Sequence, residues 1–117
     1  MRIELSAGTA SDAMAFVRRA LNKEQTRKFP ILGAAIVEAN GNTATVIGTN
    51  LDMIGIATCL VDVQEPGRIA IEMQRLAKLA DGFHKEVRLV ISSNGTVAKL
   101  SSGRSRHSLP LLPADFL

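Results

Sequence analysis

The feature that most constrains the fold of this chain is an order of strand and helix patterns that occurs twice. Each half contains an Asn-Gly pair, Asn40-Gly41 in the first and Asn94-Gly95 in the second, between two runs rich in apolar and β-branched residues. An Asn-Gly pair in that setting is a strong signal for a β-hairpin. Pro66-Gly67 separates the halves, 1–65 and 66–110, and each half predicts the order strand, helix, strand, strand, strand.

The first half begins with a strand over 2–6, where charged and apolar residues alternate. Thr9 or Ser11 is the expected N-cap of the helix that follows. Helical spacing gives this helix one apolar face, made of Ala13, Met14, Val17, Ala20 and Leu21. Three further strands are predicted, over 31–39, 43–49 and 54–63.

In the second half, a short strand over 68–71 leads into a helix over 72–80, which Gly82 is expected to end. A meander of three strands follows, over 87–92, 96–101 and 104–109. Such a meander is too small to bury its own face, so the two halves are expected to pack into one core. The predicted class is α+β, a duplicated β-α-β-β-β unit with two helices side by side on one face of antiparallel sheets.

The composition fits one soluble domain with an aliphatic core. A chain of 117 residues has room for a single core, so one domain is predicted over 1–117, with 110–117 as a linker toward further domains. Aromatic residues make up only 3%, which argues against nucleic-acid binding by base stacking, and the net charge of +3 permits contact with phosphates. Neither a signal peptide nor a membrane-spanning run is evident, so a cytoplasmic protein without a membrane partner is predicted.

Few residues suggest catalysis or ligand binding. His84 and His107 have no Cys, Asp or Glu at ligand spacing, so neither a metal site nor a cofactor is predicted. Cys59 lies in an apolar run and is expected to be a buried, inert thiol. The serines near the end of the chain lack a G-x-S-x-G setting, so no catalytic residue is proposed and an enzyme ranks last among the possible functions.

Basic residues concentrate on the two predicted helices and the loop after the first. Half of the fourteen lysines and arginines lie there: Arg18, Arg19, Lys23, Arg27, Lys28, Arg75 and Lys78. Lysine and arginine populate the solvent face of most helices, which is one interpretation. The other is a surface that contacts phosphates without reading bases.

Four segments, in order and spacing, resemble one known family. They are Phe29-Pro-Ile-Leu-Gly33, Gly48-Thr-Asn-Leu-Asp-Met53, Pro66-Gly67, and the run from Ser102 to Leu109 followed by Leu112-Pro-Ala-Asp-Phe116. Together they resemble the N-terminal domain of the bacterial DNA polymerase III beta subunit, the sliding clamp, over nearly the whole chain. The fold that the resemblance implies is the same duplicated unit that the pattern predicts.

The resemblance implies a non-catalytic role in processive DNA replication, with the helices lining the inner wall of a ring. Duplex DNA phosphates would meet six basic residues: Arg18, Arg19, Lys23, Arg27, Arg75 and Lys78. The strand over 104–109 would form a head-to-tail subunit junction, where Arg104 and Arg106 meet acidic residues and His107 and Leu109 pack. The pocket that captures polymerase and loader peptides belongs to two further domains in that family, so we expect it to be absent here.

The sequence leaves three hypotheses for the function open. The chain acts as a clamp domain, in which case a self-made ring would need about six copies, each joining its 104–109 edge to the edge near 54–60 of the next. Alternatively, it is a single-domain interaction protein that docks on or caps a full clamp through its edge strand. The third reading is a generic DNA-backbone binder without a clamp role.

Overall fold

A computed structural model describes residues 1–18, 34–49 and 54–112. These ranges hold nine strands and two helices. In chain order they are β1 (Arg2–Ser6), α1 (Ala7–Arg18), β2 (Ala34–Asn40), β3 (Thr43–Thr49), β4 (Ile54–Leu60), β5 (Asp62–Glu65), β6 (Gly67–Glu72), α2 (Met73–Asp81), β7 (Arg88–Ser93), β8 (Val97–Ser102) and β9 (Ser105–Pro110). The strand and helix order predicted for each half is therefore present, with β5 in addition.

The strands form two antiparallel sheets, and each half of the chain contributes its first strand to the sheet that holds the other half's meander. One sheet has five strands in the order β5-β1-β7-β8-β9, and the other has four in the order β4-β3-β2-β6. Strand β1 thus pairs with the meander of the second half, and β6 pairs with the meander of the first. This exchange explains how two small meanders share one core, and the predicted α+β class is confirmed.

The core is made of aliphatic side chains from both sheets and both helices. Its most completely buried members include Ile3, Leu89 and Leu100 from the five-stranded sheet and Ile71 from the four-stranded sheet. The helices add their own buried faces: Val17 and Met14 from α1, and Met73, Leu76 and Ala80 from α2. No polar or charged side chain is buried within the described ranges.

The two predicted Asn-Gly turns are confirmed. Gly41 has φ 61° and Gly95 has φ 100°, a left-handed conformation that glycine adopts without steric cost. In the first turn Asn40 pairs directly with Thr43, which leaves a two-residue loop. In the second, the side-chain oxygen of Asn94 accepts a hydrogen bond from the Val97 N–H at 3.2 Å.

The strand predicted over 54–63 is wrong, because two strands of different sheets occupy that segment. Strand β4 ends at Leu60 on an edge of the four-stranded sheet, and β5 begins at Asp62 on an edge of the five-stranded sheet. Between them Val61 is buried and its N–H donates to the Asn42 carbonyl at 3.0 Å. The alternation of inward and outward side chains stays in phase across Val61, so the sequence pattern alone does not show the change of sheet.

The ends of both helices differ from the prediction by a few residues. Helix α1 begins at Ala7, and the hydroxyl of Ser6 accepts a hydrogen bond from the Thr9 N–H at 3.1 Å, so Ser6 takes the capping role expected of Thr9 or Ser11. Helix α2 continues to Asp81, one residue beyond its predicted end, and the Gly82 N–H then bonds to two carbonyls of the last turn. The extension brings one more carboxylate onto the helix.

Candidate nucleic-acid interface

The two helices lie next to each other and present basic side chains on their exposed surface. Arg75 and Lys78 are three residues apart on α2, so they share one face of that helix. Arg18 is the last described residue of α1 and is exposed as well. Lys78 lies in the last turn of α2, where a positive charge is favoured by the helix dipole. The structure therefore brings three of the six predicted DNA-binding residues together.

An open recess of about 430 Å³ lies between the helices. It is lined by Arg18, Glu72, Gln74, Arg75, Lys78 and Asp81. We call this surface the helix face. Its charge is mixed, because Glu72 and Asp81 stand among the three cations, and Asp81 was missed when the predicted helix stopped at Ala80.

One ion pair crosses the helix face. The Arg18 Nη1 lies 3.8 Å from the Asp81 Oδ2, with side chains 43% and 54% exposed. A pair this exposed contributes roughly 0–1 kcal/mol to stability. Arg18 can therefore exchange Asp81 for a phosphate at small cost.

The remaining predicted DNA-binding residues, Arg19, Lys23 and Arg27, lie outside the described residues. Their role stays a prediction. The described part of the helix face carries only Arg18, Arg75 and Lys78 of the predicted set.

The predicted junction strand is β9, which forms an edge of the five-stranded sheet. Strand β8 pairs with one side of β9, and within the described ranges no strand pairs with its other side. Arg104 precedes the strand, in the tight turn after β8, while Arg106 lies on it opposite Ser101. Both arginines are exposed.

The two other predicted junction residues differ in their surroundings. The His107 ring is exposed and meets Phe83 edge to face, with ring centroids 6.1 Å apart and planes at 81°. Leu109 is only 3% exposed and belongs to the core of the domain. Leu109 therefore holds β9 to its own domain, whereas His107 and the arginines are available at the surface.

The helix face and the β9 edge are neighbours. A second open recess, of about 410 Å³, runs from Arg75 and Lys78 on α2 to Ser105 and His107 on β9. The Phe83 ring lines it between the two. The basic residues of α2 therefore border both predicted binding regions.

The titratable groups give little sign of other chemistry. Burial raises the pKa of the half-buried Cys59 thiol, which favours the protonated and less reactive form. In the ranges that the structure describes, no three His, Cys, Asp or Glu side chains come together as a possible metal site. None of the helices among those residues is long and apolar enough to cross a membrane.

Comparison with known proteins gives a consistent result. No protein-family model matches the chain. The beta sliding clamp of Escherichia coli K12 is 33% identical over 89 residues, which covers 74% of this chain and 24% of that protein. The beta sliding clamp of Caulobacter vibrioides is 30% identical over 121 residues, or 99% of this chain and 32% of that protein. A crystal structure of the DNA polymerase sliding clamp from Caulobacter crescentus superimposes with a TM-score of 0.90 at 25% identity, over 98% of this chain and 31% of that one.

The fold is thus that of the DNA polymerase sliding clamps. The chain is homologous, over nearly its whole length, to part of the bacterial beta sliding clamp, the beta subunit of DNA polymerase III. This confirms the resemblance drawn from the four sequence segments. The chain spans about a quarter to a third of the length of these relatives.

Proposed function

We propose that this chain works as a sliding-clamp domain, a non-catalytic processivity factor that contacts duplex DNA through its phosphates. The observation that carries the proposal is the helix face, where Arg18, Arg75 and Lys78 converge on a clamp fold. The similarity to sliding clamps favours this role over a protein that only caps a complete clamp. The role implies a cytoplasmic location, with the replication machinery.

The chemistry of the helix face suits contact without sequence readout. Arginine and lysine have long side chains that follow phosphates along a moving duplex, and phosphate contacts carry no sequence information. Arg18 keeps a weak partner in Asp81, so its contact with any one phosphate is exchangeable. In this proposal Arg19, Lys23 and Arg27 also contact phosphates.

The β9 edge would join this domain head-to-tail to another clamp domain or subunit. An unpaired strand edge offers backbone donors and acceptors to a neighbouring strand. The exposed Arg104 and Arg106 would then select an acidic neighbour, and His107 would pack at the junction. Leu109 would support the junction from behind by fixing β9 to the core. The proposal assigns no pocket for polymerase or loader peptides to this chain.

The test compares two double variants that lose the same charge. Arg75→Ala with Lys78→Ala removes two cations from the helix face, and Arg68→Ala with Lys85→Ala removes two exposed cations elsewhere. Fluorescence anisotropy with a mixed-sequence duplex across a salt series gives the affinity and its salt slope. We expect the helix-face variant to lower the slope of log K against log salt by about 2, since each lost phosphate contact removes about 0.9.

The control variant should retain the slope of the parent protein, and a second duplex of different sequence should give the same values. Equal binding by the parent and the helix-face variant at low salt would show that the helix face does not contact DNA.

A further inference from the structure

The outward face of the five-stranded sheet carries a recess that lies apart from the helix face and extends from β1 to β9, where it shares Arg106 and His107 with the β9 edge. It measures about 390 Å³. Its cations come from three strands, with Arg2 on β1, Lys99 on β8 and Arg106 on β9. The strand register places one row of side chains across the sheet: Arg2, Ser92, Lys99 and Ser108. The outer recess is defined by that row together with Ser101 and Arg106.

Within the described ranges, the cations of the outer recess have no acidic partner. Arg2 donates from Nε to the neutral amide oxygen of Gln64 at 2.7 Å. Glu4, the neighbouring acid on β1, already accepts hydrogen bonds from Gln64 at 2.9 Å and from Arg88 at 3.4 Å. Lys99 and Arg106 form no ion pair with any acid in that part of the chain. Glu65, the register partner of Arg2 on β5, lies 3.8 Å from the N-terminal amine instead, so the outer recess has a net positive charge.

Serine hydroxyls stand between these cations. Ser92 and Ser108 flank Lys99 on the neighbouring strands, and Ser101 lies opposite Arg106. Their short side chains leave the recess open, and each hydroxyl can donate one hydrogen bond. Cations next to hydroxyl donors are the groups that bind a carboxylate or another oxyanion, through charge-assisted hydrogen bonds.

We propose that the outer recess is a docking site for an extended, acidic segment of a partner polypeptide. Neighbouring strands are about 4.8 Å apart, so Arg2 and Lys99, two strands apart, stand roughly 10 Å from each other at the backbone. An extended segment presents side chains on one face about every 7 Å. Acidic residues at alternate positions of the segment can therefore reach two or three of the cations at once.

A nucleic acid fits the outer recess less well. Among its lining residues only His107, at the β9 border, carries an aromatic ring, so bases have one ring at most on which to stack. The helices pack on the inner side of the sheets, so a peptide at the outer recess and a duplex at the helix face would bind together.

The probe is a fluorescein-labelled peptide, Gly-Glu-Thr-Glu-Thr-Glu-Gly, and its counterpart with glutamine in place of glutamate. Anisotropy at low salt measures binding to the parent, to Arg2→Ala with Lys99→Ala, and to the control pair Arg68→Ala with Lys85→Ala. We expect about a tenfold loss of affinity in the outer-recess variant and less than about twofold in the control. Thermal unfolding of each variant confirms that all three proteins are folded.

Equal losses in both variants, or equal binding of the glutamine peptide, would overturn the proposal, because the effect would then reflect net charge or the peptide backbone. Displacement of the peptide by a mixed-sequence duplex would also overturn it and mark the outer recess as a nucleic-acid surface. The result does not depend on the helix face, since Arg75→Ala with Lys78→Ala should leave peptide binding unchanged.

Discussion

The two sheets end in edges of opposite chemistry. On β4 the outward side chains Ile54, Ile56 and Leu60 are 68%, 54% and 74% exposed, and the strand has no charged residue. On β9 the exposed residues are polar or basic, and Pro110 ends the strand. Charges and proline are the usual protection of an edge strand against unwanted pairing. Strand β9 has this protection and β4 lacks it.

Because of this difference, the β9 edge and the β4 edge are not complementary in charge. The arginines at β9 call for an acidic neighbour, but β4 carries no acid. A ring built from copies of this chain, with β9 paired to β4, would leave Arg106 without a carboxylate on that strand. The acidic residues of the proposed junction would therefore have to come from a surface other than β4, which is suited to apolar contact.

The largest expected effect is on the free energy of unfolding, which an apolar residue at the β9 edge should influence more than one at the β4 edge. Leu109 on β9 is buried, so Leu109→Ala should lower the free energy of unfolding by about 2–5 kcal/mol. Ile56 on β4 is more than half exposed, so Ile56→Ala should cost less than about 1 kcal/mol. Urea unfolding of both variants gives the comparison. A large loss in Ile56→Ala would mean that another molecule covers β4 in solution.

A smaller effect is expected on self-association. An uncharged edge strand with exposed isoleucines invites pairing between molecules, and a lysine at its centre opposes it. Ile56→Lys should therefore raise the protein concentration at which association begins by about tenfold, since it removes one apolar contact of roughly 1.5 kcal/mol. Light scattering over a concentration series measures this, with Ser108→Lys on β9 as the matched control. A similar change in both variants would attribute the effect to added charge.

The smallest effect concerns Cys59, which lies on β4 but is partly buried. Burial raises its pKa above the ordinary thiol value of 9.0, so the folded state holds the proton more tightly than the unfolded state. The protonated Cys59 thiol therefore makes its full contribution to stability below pH 9.0, and this contribution is lost as the pH rises through the raised pKa. The thiol should also react with a disulfide reagent more slowly at pH 8 in the folded protein than in urea. Equal rates would show that Cys59 is freely accessible at this edge.

The sequence predicted the local structure better than the pairing of strands. The Asn-Gly turns, the two helices and the aliphatic core follow from patterns of a few residues, and the structure confirms them. The division of 54–63 at Val61 could not be predicted, since its alternation continues unbroken while its hydrogen bonds change sheet. Asp81 was missed for a similar reason, because helix ends are set by a turn or less of backbone bonding.

The candidate sites depend on residues that only the fold brings together. The helix face combines Arg18 with Arg75 and Lys78, which lie on different helices. Their spacing in the sequence does not distinguish a phosphate-binding surface from ordinary solvent-exposed cations. No sequence pattern within a single segment predicts the outer recess, because its cations come from β1, β8 and β9. A pattern within one segment cannot report a row that crosses a sheet.

The exchange of first strands between the two halves has a consequence for how the chain folds. Met1 and Ser93, 92 positions apart, are joined by a backbone hydrogen bond of 2.9 Å, so the five-stranded sheet closes only when both ends of the described chain are present. Such distant pairing favours slow folding and a single cooperative transition, in which neither half is a separate folding unit. Cutting the chain between β5 and β6 would leave the first fragment with β1 and β5, which belong to the five-stranded sheet, and the second fragment with β6, which belongs to the four-stranded sheet. Mixed together, the two fragments should recover the ordered structure that each lacks alone.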